Sequence, residues 1–188
     1  MPRSDPKIRL PYDAAALERA ALDYAARYAT TRAKLAAYLR RKLRERGWAG
    51  EEAAPVAVLV ERFSQHGYVD DRAFAGARAD SLLRRGYGAR RIDAALRVAG
   101  IDADVAAELD GTISAGAEAA AIRFARRKRI GPFAGRAPDP AEKRRWIAAM
   151  ARAGHPIELV LRVLDADPAE MEIDRWDAIG DARPPESE

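Results

Sequence analysis

The chain has 188 residues, is 48% hydrophobic and carries a formal net charge of +4, enough apolar material for one ordinary domain or several small packed units. It contains no cysteine, which excludes a disulfide framework and thiolate chemistry, and no apolar run long enough to span a bilayer. The opening residues Met1 to Lys7 lead into no apolar core of the kind a secretory signal needs, so a cytoplasmic location is expected.

In chain order the pattern is helical throughout, because Val and Ile are scattered and never alternate between turn pairs as strands require. A first helix is predicted near 13–29, with Asp13 as its cap and Tyr12 and Leu17 placed as a hydrophobic staple. A second is predicted near 31–46, where Leu35, Leu39 and Leu43 step by four beside Tyr38. Lys34, Arg40, Arg41 and Arg44 fall on its far side, while Lys42 and Arg46 flank the stripe with their stems along it. A third helix, near 52–66, holds Pro55 in its first turn or bends there. Helices near 71–85, 89–99 and 103–110 follow, with Asp70 as a cap, Val69 and Phe74 as a second staple, and Asp102 ahead of the last. The final three are predicted near 115–129, 140–153 and 156–165. Asp139-Pro140-Ala141-Glu142 supplies a cap, a first-turn proline and an acid there, and Ile130 to Pro138 reads as a loop. Beyond Asp167-Pro168 the sequence turns acidic and is expected to be disordered.

Glycines stop the periodic runs at Gly47, Gly67, Gly86, Gly100 and Gly154. Counting back from three of them exposes a repeat. Leu39 and Leu43 precede Gly47 by eight and four residues, Ile92 and Leu96 precede Gly100 alike, and so do Trp146 and Met150 before Gly154. The basic pairs Arg40-Arg41, Arg90-Arg91 and Arg144-Arg145 lie at similar points in each copy. The predicted fold is therefore all-α: an elongated tandem array of three three-helix repeats, about nine helices, over residues 13–69, 70–113 and 114–166, with a tail at 167–188. Such an array presents a long surface rather than one deep pocket, a geometry suited to binding another polymer.

The charge is unevenly spread. Residues 165–188 hold nine acids and two bases, which leaves the first 164 residues with 31 bases and 20 acids. A basic body of this kind points to a polyanionic partner or an acidic protein surface, and a solvated, charge-rich helical surface is the plainer alternative.

The stretch Arg62-Phe63-Ser64-Gln65-His66-Gly67-Tyr68-Val69-Asp70-Asp71-Arg72-Ala73-Phe74-Ala75 resembles the central signature of the RecX family. Arg85-Gly86-Tyr87-Gly88-Ala89-Arg90-Arg91-Ile92-Asp93-Ala94-Ala95-Leu96, closed by Gly100-Ile101, is similar to the pattern of that family's second unit. Tyr24 to Gly47 resembles its first unit. Arg129-Ile130-Gly131-Pro132-Phe133 and Lys143-Arg144-Arg145-Trp146 resemble the third unit of some members. The first and third units depart from the family in carrying Trp48 and His155 after the stop glycine. The resemblance implies a nine-helix tandem array, a monomer, that binds the groove of the RecA filament on single-stranded DNA. It also implies that the array inhibits filament extension, strand exchange and ATP hydrolysis, and that DNA is a direct partner of some members.

The candidate partner- and nucleic-acid-binding residues are the basic clusters. They are Lys34, Arg40, Arg41 and Arg44; Arg84, Arg85, Arg90 and Arg91; Arg126, Arg127, Lys128 and Arg129; and Lys143, Arg144 and Arg145. The competing reading of each is an ordinary solvated helix face. The Asp70-Asp71 pair has the residue types for acid–base or metal chemistry, yet a helix cap and a favourable charge at a helix N-terminus account for it without either. His66 and His155 stand in no metal-ligand spacing and are expected to serve helix ends. Gly86-Tyr87-Gly88 lacks the rest of a phosphate-loop pattern and reads as a turn. Phe74, Phe124 and Trp146 fall on apolar stripes and read as core rather than base-stacking platforms. No catalytic residue, cofactor or metal is expected. Three function classes fit the sequence: a filament regulator, a non-specific DNA- or RNA-binding helical module, and, least favoured, an enzyme. The acidic tail is either a solubilising extension or a competitor for the basic body.

Overall fold

The computed structural model describes residues 10–166. Within them lie nine α-helices: α1 (Ala14–Arg27), α2 (Arg32–Arg46), α3 (Val56–Gln65), α4 (Asp71–Arg84), α5 (Ala89–Val98), α6 (Ala103–Ala107), α7 (Asp110–Lys128), α8 (Pro140–Arg152) and α9 (Ile157–Asp165), with a 3-10 turn at Gly131–Ala134. No strand occurs among the described residues. One isolated bridge joins Tyr12 to Trp48, with Tyr12 N–H donating to Gly47 O at 3.0 Å and Ala49 N–H to Tyr12 O at 2.9 Å. The chain is all-α, as its periodicity predicts. The acidic tail lies outside the described residues.

Local signals act where the sequence places them. The Asp13 carboxylate accepts from Ala16 N–H at 2.7 Å, Asp70 from Ala73 N–H at 2.9 Å and Asp139 from Glu142 N–H at 2.7 Å, each satisfying an amide that a helix start leaves without a partner. All five stop glycines have positive φ, a conformation that costs a side-chain-bearing residue most and glycine least.

Two stretches differ from the predicted pattern. The third helix starts only at Val56, because Pro55 restricts the residue before it to extended backbone and takes the N-cap position itself. The helix predicted over 103–110 is the five-residue α6, and α7 begins at Asp110 rather than near 115. Gly111, Thr112 and Gly116 are weak helix formers and suggest a break there. Ile113, buried at the start of α7, anchors this turn by packing, which outweighs propensity.

The chain forms two compact units, the first running to Phe74 and including Val98–Asp102, the second comprising Ala75–Arg97 and the described chain from Ala103 onward. The first unit packs α1, α2 and α3 around Tyr12, Leu17, Ala21, Leu35, Leu39, Leu59, Val60, Phe63 and Val69. Both predicted staples contribute, since Tyr12, Leu17 and Val69 are buried and Phe74 is half-buried. Thr31 is fully buried and works twice: its hydroxyl accepts from Lys34 N–H at 3.1 Å and donates to Ala99 O at 2.6 Å. In the second unit, α7, α8 and α9 close over Phe124, Ala125, Ile130, Met150, Leu159, Val160 and Val163, with Trp146 half-buried against them.

Two turns of the second unit cross at backbone contact. Gly88 N–H donates to Ala153 O at 2.9 Å and Arg90 N–H to Gly154 O at 3.3 Å. A Cβ built on Gly88 would lie 2.5 Å from the Gly154 carbonyl, so hydrogen is the only substituent the crossing admits.

Candidate partner-binding surfaces

The helix that carries the first basic cluster, α2, has seven bases and a single acid, Glu45. Its buried face is set by Leu35 and Leu39, which turns Arg40, Arg41 and Arg44 to solvent. Lys34 is half-buried, with Nζ 4.2 Å from the centre of the Phe74 ring. Arg41 and Lys42 lie 5.6 and 5.7 Å from the Tyr38 ring, and both meet Glu45, at 3.9 and 3.4 Å. Arg46 is committed to the fold, because its guanidinium donates to Leu10 O through two nitrogens and sits 4.2 Å over Tyr12.

The second unit draws together residues that are distant in sequence. Arg85 and Arg91 approach the Tyr87 ring at 5.6 and 5.9 Å, one from each side of the α4–α5 turn. Arg127 reaches the same turn from α7, donating to Arg85 O at 2.5 Å while lying 5.5 Å from the Phe124 ring. Arg84, Arg85, Arg90, Arg91 and Arg126 to Arg129 are all exposed. Arg126, Arg127 and Lys128 occupy the last turn of α7 and Arg129 its left-handed cap, where the helix dipole favours cations. Helix electrostatics alone accounts for part of the run. Arg123, inside this group, is half-buried and donates to Leu83 O at 3.4 Å, and burial lowers its pKa.

The Lys143-Arg144-Arg145 run separates. Lys143 pairs with Asp165 at 2.8 Å, whereas Arg144 and Arg145 are exposed. The bidentate partner of Glu142 is Arg136, at 2.7 and 2.8 Å.

Asp70 and Asp71 serve different helices. Asp70 caps α4, and Asp71 reaches across to accept from Arg32 N–H at 2.9 Å at the start of α2. His66 is an exposed C-cap of α3. His155 is fully buried: its Nε2 faces Gly86 O at 3.1 Å, its ring meets Phe124, and its Nδ1 has no hydrogen-bond partner. Nε2 therefore carries the proton and donates to the carbonyl, and burial holds the pKa below the ordinary histidine value. Among the described residues no three histidine or acidic side chains gather as a metal site, and no helix is long and apolar enough to cross a membrane.

One group escapes the basic-cluster pattern. Tyr24, Tyr28 and Tyr38 form an aromatic cluster at the end of α1, flanked by Arg27 and Arg41. The four-residue spacing of Tyr24 and Tyr28 is visible in the sequence, but the third ring arrives from α2.

A family model described as the second three-helix domain of RecX matches residues 70–109, the stretch that contains α4, α5 and α6. A regulatory protein RecX of Myxococcus xanthus (strain DK1622) is 38% identical over 161 residues, which cover 81% of this chain and 86% of that protein. One from Thermobifida fusca (strain YX) is 36% identical over 111 residues, 58% of this chain and 59% of that protein. The crystal structure of RecX from Lactobacillus salivarius shares the fold at a TM-score of 0.64 and 15% identity, covering 80% of this chain and 96% of that one. On the extent of the Myxococcus match, the chain belongs to the RecX family of regulatory proteins.

Proposed function

We propose that this protein regulates the RecA recombinase by binding the RecA filament on single-stranded DNA, restraining filament extension, strand exchange and ATP hydrolysis. Kinship with regulatory RecX proteins over most of their length carries this reading. The nine helices are read as three units of three, residues 13–69, 70–113 and 114–166, acting as a non-enzymatic monomer in the cytoplasm without a cofactor.

The exposed arginines supply the contacts. Arg40, Arg41 and Arg44 on α2, Arg84, Arg85, Arg90 and Arg91 around the α4–α5 turn, Arg126, Arg127, Lys128 and Arg129 at the end of α7, and Arg144 and Arg145 on α8 face solvent. Lys34, Arg127 and Lys143 contribute less, since Lys34 lies against Phe74, Arg127 donates to Arg85 O and Lys143 is paired with Asp165. Many modest charge-assisted contacts held on one chain add through effective concentration, so none need be strong alone. A chain that touches successive protomers opposes the movements that ATP turnover and strand exchange require.

The test is RecA ATPase activity on single-stranded DNA with increasing amounts of this protein at modest salt. Turnover is expected to fall at or below one copy per protomer. Unaffected turnover, together with steep salt-dependent binding to naked nucleic acid, would favour a plain nucleic-acid-binding module instead.

A further inference from the structure

The aromatic cluster of the first unit leaves one ring largely open to solvent. Tyr24 and Tyr38 are half-buried against the core of that unit and stack with centroids 4.2 Å apart and planes 14° from parallel. Tyr28, the C-cap of α1, tilts against Tyr24 at 5.3 Å and is 58% exposed. The contact with Tyr24 covers one side of Tyr28, and the rest of its phenol ring offers a flat apolar face to solvent. The three rings, with Asp23, Arg27 and Arg41, line a cleft of about 370 Å³.

We propose that this cleft binds one nucleotide of single-stranded nucleic acid, its base stacked on Tyr28 and its phosphate held by Arg27 and Arg41. A planar ring platform with guanidinium groups at its rim is what a base with an attached phosphate requires. Charge favours a nucleic-acid strand over an acidic peptide. Tyr38 and Arg41 of α2 line the cleft, and that helix also exposes Arg40 and Arg44 and carries seven bases against one acid. Among the described residues neither Arg27, Arg40 nor Arg44 makes an ion pair. A strand brings a charge with every nucleotide and can use such a row, whereas a peptide with one acid beside an aromatic would leave it idle. The Asp23 carboxylate at the cleft accepts hydrogen bonds only, which suits an amino or imino edge of the base.

The experiment uses the whole chain without RecA, so its outcome is separate from that of the ATPase test. Fluorescence anisotropy at low salt compares a labelled oligothymidylate with an abasic strand of equal length and charge. The base-bearing strand is expected to bind about fivefold tighter, ~1 kcal/mol, the low end of what a base gains on an aromatic ring. Tyr28→Ala should erase that difference while leaving affinity for the abasic strand unchanged, and Tyr28→Phe should keep it. Arg27→Gln should weaken both strands and lower the salt slope by about one. Equal affinity of the parent for the two strands, or a preference for bases that survives Tyr28→Ala, overturns the assignment. So does displacement of both strands alike by a peptide of alternating tyrosine and glutamate, which would give the cleft to a protein partner.

Discussion

Substitution of Gly88 by alanine tests the reading of the second unit most sharply. The added Cβ would stand 2.5 Å from both the carbonyl carbon and oxygen of Gly154 and 2.7 Å from His155 N, where ordinary contact begins at 3.4 Å. The obstacle is backbone on both sides, so no side-chain rotation relieves it. The two turns must part by nearly 1 Å, an overpacking cost of about 1–3 kcal/mol. Parting them also stretches Gly88 N–H to Ala153 O and Arg90 N–H to Gly154 O, now 2.9 and 3.3 Å, together about 1–3 kcal/mol more. The sum, about 2–6 kcal/mol, lowers Tm by roughly 5–20 °C for a protein of this size. Thermal unfolding followed by far-UV circular dichroism measures it. Gly154→Ala should cost a similar amount, because its Cβ would meet Arg91 N at 2.5 Å in a left-handed backbone of φ 97°. The double variant should fall short of the sum, since either change already opens the same crossing. A Tm for Gly88→Ala within about 2 °C of the parent would refute the close crossing of the two turns.

Gly76, inside α4, should behave oppositely: a Cβ there meets nothing within 4 Å, so Gly76→Ala stabilises by about 0.5–1 kcal/mol in urea denaturation. Asp70→Ala should cost about 1 kcal/mol through loss of the Ala73 N–H cap, while Asp70→Asn retains most of it, and a loss equal to alanine's in the asparagine variant would remove the capping role. Asp71→Ala should likewise lower stability by about 1 kcal/mol, by leaving Arg32 N–H without its acceptor at the start of α2. His155 is held neutral in the fold by burial, so its pKa there lies below the ordinary 6.5 of the unfolded chain. Its contribution is full above that value and is lost as pH falls from 6.5 toward the folded pKa, where the unfolded chain binds the extra proton. Denaturation midpoints measured across that window should decline with acidity, and His155→Gln should flatten the decline. An equal slope in both proteins would assign the acid sensitivity elsewhere.

What could be seen in the sequence is what depends on neighbours a few residues away. Asp13, Asp70 and Asp139 cap helices because an N-cap needs only its own next turn, and the stop glycines mark helix ends because left-handed backbone is a local demand. Leu35 and Leu39 on α2, and Ile92 and Leu96 on α5, are buried as their spacing requires. The faces these stripes leave outside are therefore legible as well, which is why Arg40, Arg44, Arg84, Arg90 and Arg144 are exposed. Use of the exposed charge is a different matter, because it is decided by the fold. Lys143 is answered by Asp165, Arg46 by the carbonyl of Leu10, and Arg127 by the carbonyl of Arg85, at separations of 22, 36 and 42 residues. His155 follows the same logic: only the arrival of Gly86, 69 residues away, turns an apparent helix-end histidine into a buried donor. Basic residues in a helical regulator thus divide into those that hold its turns together and those that remain available to a polyanion. Neutralising Arg40 and Arg44 should weaken binding without moving Tm, whereas neutralising Arg46 or Arg127 should move Tm first.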